Sequence, residues 1–408
     1  MNIGQKTNPS YEALKKKHRI LCKDSASVNS SKKPLLEKWT DVKYGPLTVK
    51  KKNEYKFKKK VGHTVLIVHN PATKELARAV ERECWKNGAH TFMQENDVLH
   101  VKESYSLKPT DSLRELDEVR KALFSKADYY INLEAVESVM WKKDVPPSKL
   151  SASAPVSQRV SRIRDKSRQR WLLVGWPHPQ TAKDLGIGFK KFSRIVFNAI
   201  NESFKKRTYD LVWDYVRLLD GGKEVRVESE EGTDFTFSIK GRRMLADDGV
   251  LSPEDIANND IGLNIPCGEA FCAPREKQGD GVYIVPRNII RGYGLAEDIK
   301  LVFDKGQVVD YSAKKHEDYL DKFFKENIGD FDRIAELGVG CNKGAEFTNG
   351  YIIVDEKILG TIHIAIGWNI GFGGKNEASS HLDFIKPMDK GKMFVDDKLV
   401  MDKGKIVL

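Results

Sequence analysis

Four short islands between Asn264 and Asp383 hold the residue types that could do chemistry. They read Asn264-Ile-Pro-Cys-Gly-Glu-Ala-Phe-Cys-Ala-Pro274, Ala335-Glu-Leu-Gly-Val-Gly-Cys-Asn342, Gly360-Thr-Ile-His-Ile-Ala-Ile-Gly367 and Gly373-Gly-Lys-Asn-Glu-Ala-Ser-Ser-His-Leu-Asp383. Each sets a carboxylate or an imidazole (Glu269, Glu336, His363, His381, Asp383) among glycines, prolines or small residues, which let side chains converge from tight backbone. Singly, each is a weak signal: a histidine in an apolar alternation such as Ile362-His-Ile-Ala-Ile366 is ordinarily a satisfied core residue. His381 and Asp383 are the stronger pair, because two residues apart on extended chain they project from one face. Asn376, Ser379 and Ser380 beside them read equally well as turn chemistry. Together, three carboxylates and two imidazoles suit Zn²⁺, Co²⁺ or Mn²⁺ better than the all-oxygen preference of Ca²⁺ or Mg²⁺. Two such ions about 3.5–4 Å apart, bridged by a carboxylate, can activate water and polarise an amide carbonyl together. Cys267, Cys272 and Cys341 also lie in the islands, but their spacing makes no zinc ribbon or knuckle, and small buried side chains are the better account.

In order and spacing the islands resemble the thermophilic-type dinuclear metallo-aminopeptidases, the aminopeptidase S and T family. The resemblance is specific over residues 261–390 and looser over Val61–Gly88, Trp171–Pro179 and Phe235–Arg242. It implies Glu269 as a ligand of the first metal, Glu336 as a carboxylate shared by both, His381 and Asp383 close by, and His363 on the second metal. Glu269 and Glu336 would be the catalytic carboxylates. A further family glutamate precedes the histidine; Glu356 is its natural match, with Asp355 the alternative, because the spacing to His363 is longer here. A second departure is Ile370, where the family carries a tyrosine thought to assist the transition state. Tyr293 and Trp368 are candidates to replace it. The resemblance implies a cytoplasmic, homodimeric aminopeptidase that removes the first residue of short peptides with a free N-terminus. A hydroxide bridging two divalent ions (Zn, Co or Mn) would be the nucleophile. The alternatives are a metallohydrolase of another amide or ester bond, and a non-catalytic relative with an RNA-binding basic arm.

The elements that must position these groups divide in two. His63-Thr-Val-Leu-Ile-Val-His69 reads as a buried parallel strand, Pro71 opens a helix ending near Gly88, and a helix over Ser112–Lys126 precedes a strand at Asp128–Glu134. Trp171–Gly175 is a further strand, and a helical pattern runs from Phe189 to Leu219. Alternating strands and helices predict a parallel α/β domain over 61–245, with Gly241–Asp260 as the connection to an α+β metal-binding domain over 246–408. In that second part short strands precede a helix at Lys314–Ile328, and turn residues at Asp396-Asp397 and Asp402-Lys-Gly404 predict hairpins. Neither Gly-x-Gly-x-x-Gly nor a Walker motif is present, so no nucleotide site is supported.

The net charge of +11 belongs to one end. Residues 1–60 hold 17 Lys+Arg against 5 Asp+Glu, leaving the rest nearly neutral. That segment reads as a loosely structured, solvated extension, with nucleic-acid binding as the disfavoured alternative. The arginine-rich stretch 156–170 reads in the same way as a solvated helix face. No run of about 18 apolar residues predicts a membrane span, and five widely spaced cysteines suggest a reducing compartment.

Overall fold

The computed structural model describes residues 62–258 and 260–407; the basic segment 1–60 lies outside them. Strand β1 (Thr64–His69) is buried along nearly its whole length, as a β-branched run covered on both faces must be. A 3₁₀ turn at Pro71–Thr73 leads into helix α1 (Lys74–Lys86) and strand β2 (His90–Glu95). Helix α2 (Val98–Leu107), helix α3 (Glu118–Lys126), strand β3 (Tyr129–Glu134), helix α4 (Pro147–Ser167) and strand β4 (Arg170–Gly175) follow. The predicted helix over Ser112–Lys126 is shorter than expected. Asp117 adopts extended backbone and caps a new start, its carboxylate accepting from Arg120 N at 2.8 Å. The arginines of α4 serve the structure: Arg164 lies 4.6 Å over the Tyr130 ring, and Arg162 pairs with Glu377.

The single helix expected over Phe189–Leu219 is two, α5 (Phe189–Ser203) and α6 (Lys206–Leu219), because Lys205 is extended and restarts the chain. Strands β5 (Glu224–Ser229), β6 (Asp234–Ser238), β7 (Leu245–Asp247), β8 (Gly262–Ile265) and β9 (Glu269–Cys272) come next. The segment expected as a connection, Gly241–Asp260, therefore contributes a strand, β7, which pairs with β9. Beyond it run β10 (Gly279–Ile290), β11 (Gly294–Asp304), β12 (Gln307–Lys315), helix α7 (Glu317–Glu326) and β13 (Ile334–Gly340). Helix α7 starts later than Lys314 because Lys315 is still paired with Glu297 in the β11–β12 ladder. The chain ends with the short helix α8 (Ile352–Asp355), then β14 (Thr361–Gly367), β15 (His381–Pro387), β16 (Gly391–Val395), β17 (Lys398–Asp402) and β18 (Lys405–Ile406). Asp396 and Asp397 both take positive φ, the backbone of a tight two-residue hairpin.

The described residues form three sheets: a parallel one in the order β2-β1-β3-β4-β8, an antiparallel one in the order β12-β11-β10-β6-β5-β16-β17-β18, and an antiparallel one in the order β15-β14-β13-β9-β7. The α/β class is as expected. The sheets do not part at residue 245, since β5 and β6 join β10 and β16, while β8 returns to β4. Residues 266–268 thus carry the chain from the parallel sheet straight into the third sheet. Among the described residues no helix is long and apolar enough to cross a membrane.

Asn70 ties the ends of the parallel strands together. Its amide donates to Asn96 O at 2.6 Å and its carbonyl accepts from Ala135 N at 2.8 Å, both in buried or half-buried surroundings. Asn70→Ala orphans two backbone groups and should destabilise the fold by about 2–4 kcal/mol, read from chemical denaturation. A loss below about 0.5 kcal/mol would mean that water replaces both bonds.

Candidate metal centre

The five island residues all stand on one face of the β15-β14-β13-β9-β7 sheet. Strand alternation places Glu336, Gly338 and Gly340 on that face of β13, and His363, Ala365 and Gly367 on that face of β14. Register aligns them: Glu336 is level with Ala365, which is level with Asp383; Gly338 is level with His363; Gly340 with Glu269; Gly367 with His381. The opposite face carries Leu337, Val339, Ile362, Ile364, Ile366, Leu382 and Phe384, all in the main apolar core. Every second residue of these strands is thus spent on folding, and the others are free to carry ligands.

Glu336 sits between the two imidazoles. Its Oε1 is 3.4 Å from His363 Nε2 and its Oε2 3.3 Å from His381 Nε2. Asp383 Oδ1 lies 3.1 Å from His381 Nε2 and 3.9 Å from His363 Nε2, and Glu269 Oε2 lies 3.9 Å from His363 Nε2. Two trios with metal-ligand spacing emerge, Glu269–Glu336–His363 and Glu336–His381–Asp383, which share Glu336. His381 Nδ1 is 2.8 Å from the Trp368 carbonyl, a contact that places a proton on Nδ1 and turns Nε2, the nitrogen that would bind a metal in the neutral ring, toward the carboxylates. Glu269 Oε2 is buried without a hydrogen-bond partner. An oxygen-rich set with two imidazoles and an uncommitted buried carboxylate oxygen fits a divalent transition ion or zinc.

Glycine makes the face crowded enough to converge. A Cβ on Gly338 would stand 2.0 Å from His363 Cε1, and one on Gly340 would stand 2.0 Å from the Ile358 carbonyl oxygen. The first absence admits the His363 ring, and the second admits the loop after α8. Asn342 then locks the turn, donating to Ala199 O at 2.9 Å and Cys267 O at 2.8 Å while its own carbonyl accepts from Gly344 N at 2.8 Å.

That loop delivers two groups, of which sequence reasoning anticipated one. Glu356 faces the cluster, whereas Asp355 is spent on Thr348 N (2.8 Å), Thr348 Oγ1 (2.7 Å) and Gly350 N (2.8 Å). The unanticipated group is Lys357, wholly buried, with Nζ 2.9 Å from Glu269 Oε1, 2.9 Å from Glu356 Oε1 and 3.1 Å from Asp247 Oδ2. Asp247, on β7 and level with Glu269, was likewise missed because its segment reads as a connector. A lysine after a glutamate looks like surface; the hint in the sequence is its setting between the apolar Ile352-Ile-Val354 and Ile358-Leu359.

Burial dominates the electrostatics, and neighbours decide the sign. Burial pushes Glu269 up to about 7 despite the pull of Lys357, and Asp247 up to about 6 for the same reason. Burial acts the same way on Glu336 and Asp383, but the imidazoles outweigh it and hold both below their ordinary range. His363 is raised to about 9: burial opposes its charge, and Glu336, Glu269 and Asp383 outweigh that. Burial also raises the thiols of Cys267, Cys272 and Cys341, which behave as small core residues.

Of the two suggested replacements for the family tyrosine, Tyr293 is committed elsewhere. Tyr293 donates its hydroxyl to Glu326 and stacks on Tyr319, which commits it to the core and corrects that suggestion. Trp368 contributes its backbone carbonyl to His381. Ile370 opens a 3₁₀ turn, Ile370–Phe372, whose Phe372 ring packs edge-on to His381 at 5.9 Å.

The chain is similar to known proteins over most of its length. The profile of the thermophilic metalloprotease (M29) family matches residues 41–385. Aminopeptidase PepS of Streptococcus thermophilus is 21% identical over 369 residues, 79% of this chain and 87% of PepS. Aminopeptidase AmpS of Bacillus subtilis (strain 168) is 26% identical over 175 residues, 38% of this chain and 41% of AmpS, so that match spans about two-fifths of the relative. Among solved structures, wild-type AmpT from Thermus thermophilus aligns with a TM-score of 0.66 at 18% identity, covering 85% of this chain and 94% of AmpT. The 2,5-dihydroxypyridine dioxygenase of Pseudomonas putida KT2440 aligns at 0.54 and 16% identity over 85% and 92% of the two chains, a likeness of fold.

Gly338→Ala tests the geometry of the face. The added methyl must displace the His363 ring, so divalent-metal affinity should fall about 10–100-fold, the usual cost of disturbing a ligand's support. Competition with a chromophoric chelator measures it, and unchanged affinity would mean that His363 does not bind from this position.

Proposed function

This chain belongs to the thermophilic metalloprotease (M29) family, and on that premise we propose that it is a metal-dependent aminopeptidase acting on short peptides with a free N-terminus. The observation that carries the reading is the convergence of Glu269, Glu336, His363, His381 and Asp383 on one sheet face, as two trios sharing Glu336. We assign one divalent ion to each trio, Zn²⁺, Co²⁺ or Mn²⁺ by the donor set. When bound, the ions would supply Lewis acidity toward the scissile carbonyl and an activated water.

The chain's own residues do the rest. Glu336 spans both trios and couples their positions. His381, oriented by the Trp368 carbonyl and with a quarter of its side chain exposed, stands at the solvent side, where a peptide would enter. His363, Glu269 and Asp383 are buried and exclude water behind it. Glu269, with Oε1 beside Lys357 and Oε2 turned to the first trio, is the carboxylate we assign as a ligand there. The family resemblance also leads us to expect a homodimer.

Chelation should abolish release of the first residue from short peptides and from aminoacyl anilides, and Zn²⁺, Co²⁺ or Mn²⁺ should restore it. N-acetylated peptides should resist cleavage. Glu336→Gln should lower turnover by orders of magnitude and reduce bound metal in both positions, measured by metal analysis beside the rate. Chelator-resistant cleavage, or turnover of aryl phosphates with none of peptides, would overturn the assignment.

A further inference from the structure

Lys357 is a cation at the centre that neither the family pattern nor the mechanism uses. Its ammonium is wholly buried and has three carboxylate neighbours, Glu269 and Glu356 at 2.9 Å and Asp247 at 3.1 Å. These come from three separate places in the chain: β7, β9 and the loop after α8. Gly340 clears the approach of that loop, and Lys357 O accepts from Asn342 N at 2.7 Å, so the side chain enters from a pinned backbone. Nothing in the geometry resembles a lysine that has drifted inward; a cation-sized space among three buried carboxylates is filled by a tethered cation.

Glu269 is the shared member. Its Oε1 is engaged by Lys357, while Oε2 is turned toward His363 and the Glu269–Glu336–His363 trio. A carboxylate already polarised by an ammonium is a poorer ligand, and a second positive charge entering on its other oxygen is repelled by the first. Lys357 makes no ion pair with the Glu336–His381–Asp383 trio and acts on Asp383 only from farther away. Glu356, the residue that the family pattern suggests as a ligand, has Oε1 held by Lys357.

We propose that Lys357 is a resident cation that occupies the Asp247–Glu269–Glu356 pocket, takes Glu356 out of the ligand set and makes the two ion positions unequal. The position at Glu336–His381–Asp383 fills first and tightly; the position at Glu269–Glu336–His363 is weak. The proposal rests on the metal-centre reading above and concerns the order and strength of loading, a property separate from the identity of the bond cleaved.

The test is titration of metal-stripped full-length protein with Co²⁺, followed by calorimetry and by the visible absorption of the bound ion. The wild type should show one tight event, with a second at least about 100-fold weaker or undetected. Lys357→Met should tighten or reveal the second event by at least tenfold. Glu356→Gln, which keeps the lysine, should leave the first event within about threefold. Two equal events in the wild type overturn the proposal, as does a Lys357→Met protein whose second event is unchanged or weaker. If Lys357→Met does not fold, Glu356→Gln decides with the wild type: a tenfold or greater loss in the first event makes Glu356 a ligand and overturns it. Absence of any tight event in every protein instead overturns the metal-centre reading itself.

Discussion

Five buried carboxylates within one patch of sheet are the constraint from which the rest of this molecule follows. Asp247, Glu269, Glu336, Glu356 and Asp383 are each less than a tenth exposed. An ionised carboxylate in such surroundings is costly unless a cation meets it. The protein itself supplies Lys357 and two imidazoles. Lys357 neutralises one end of the patch, and His363 and His381 serve the other. A divalent ion would replace the role of imidazolium, returning both histidines to the neutral form that binds metal. The charge problem and the chemistry are therefore one arrangement.

Holding such a patch together demands rigid backbone, and the sheet provides it by dividing labour between its faces. Three isoleucines on β14 are wholly buried in the apolar core, while His363 and Ala365 between them face the centre. The same alternation on β13 explains the run Glu-Leu-Gly-Val-Gly. Leucine and valine anchor the strand, glutamate carries the ligand, and the two glycines make room for an imidazole ring and a neighbouring carbonyl. A motif that looks like a turn in sequence is here a strand with one face stripped bare. Asn376 of the fourth island and Asn369 just before it hold the loop: Asn376 donates to Ile334 O at 3.0 Å, and Asn369 to Ala335 O at 3.1 Å.

The four islands, their chemistry and most of the elements around them were legible because each depends on local pattern. Alternation marks strands, and capping residues mark helix starts. His381 and Asp383 share a face by period alone. Errors arose where the outcome depends on distant partners. A three-residue strand, Leu245–Asp247, has too little length for a period and exists because β9 pairs with it. The break at Lys205 leaves the apolar spacing on both sides intact and so escaped a periodicity reading.

Sequence alone determined which residues can ligate, that they alternate with core residues, and that the N-terminal half builds parallel strands. These are properties of adjacent residues. Only the tertiary structure decided where the charges balance. It separated Asp355, spent on the Thr348–Gly350 backbone, from Glu356, turned to the centre. It withdrew Tyr293 by giving its hydroxyl to Glu326. It also brought Lys357, Asp247 and Glu269 to one point from segments that no spacing rule connects. Coulomb interactions act through space and have no period along the chain, so their partners emerge only when the sheets have formed.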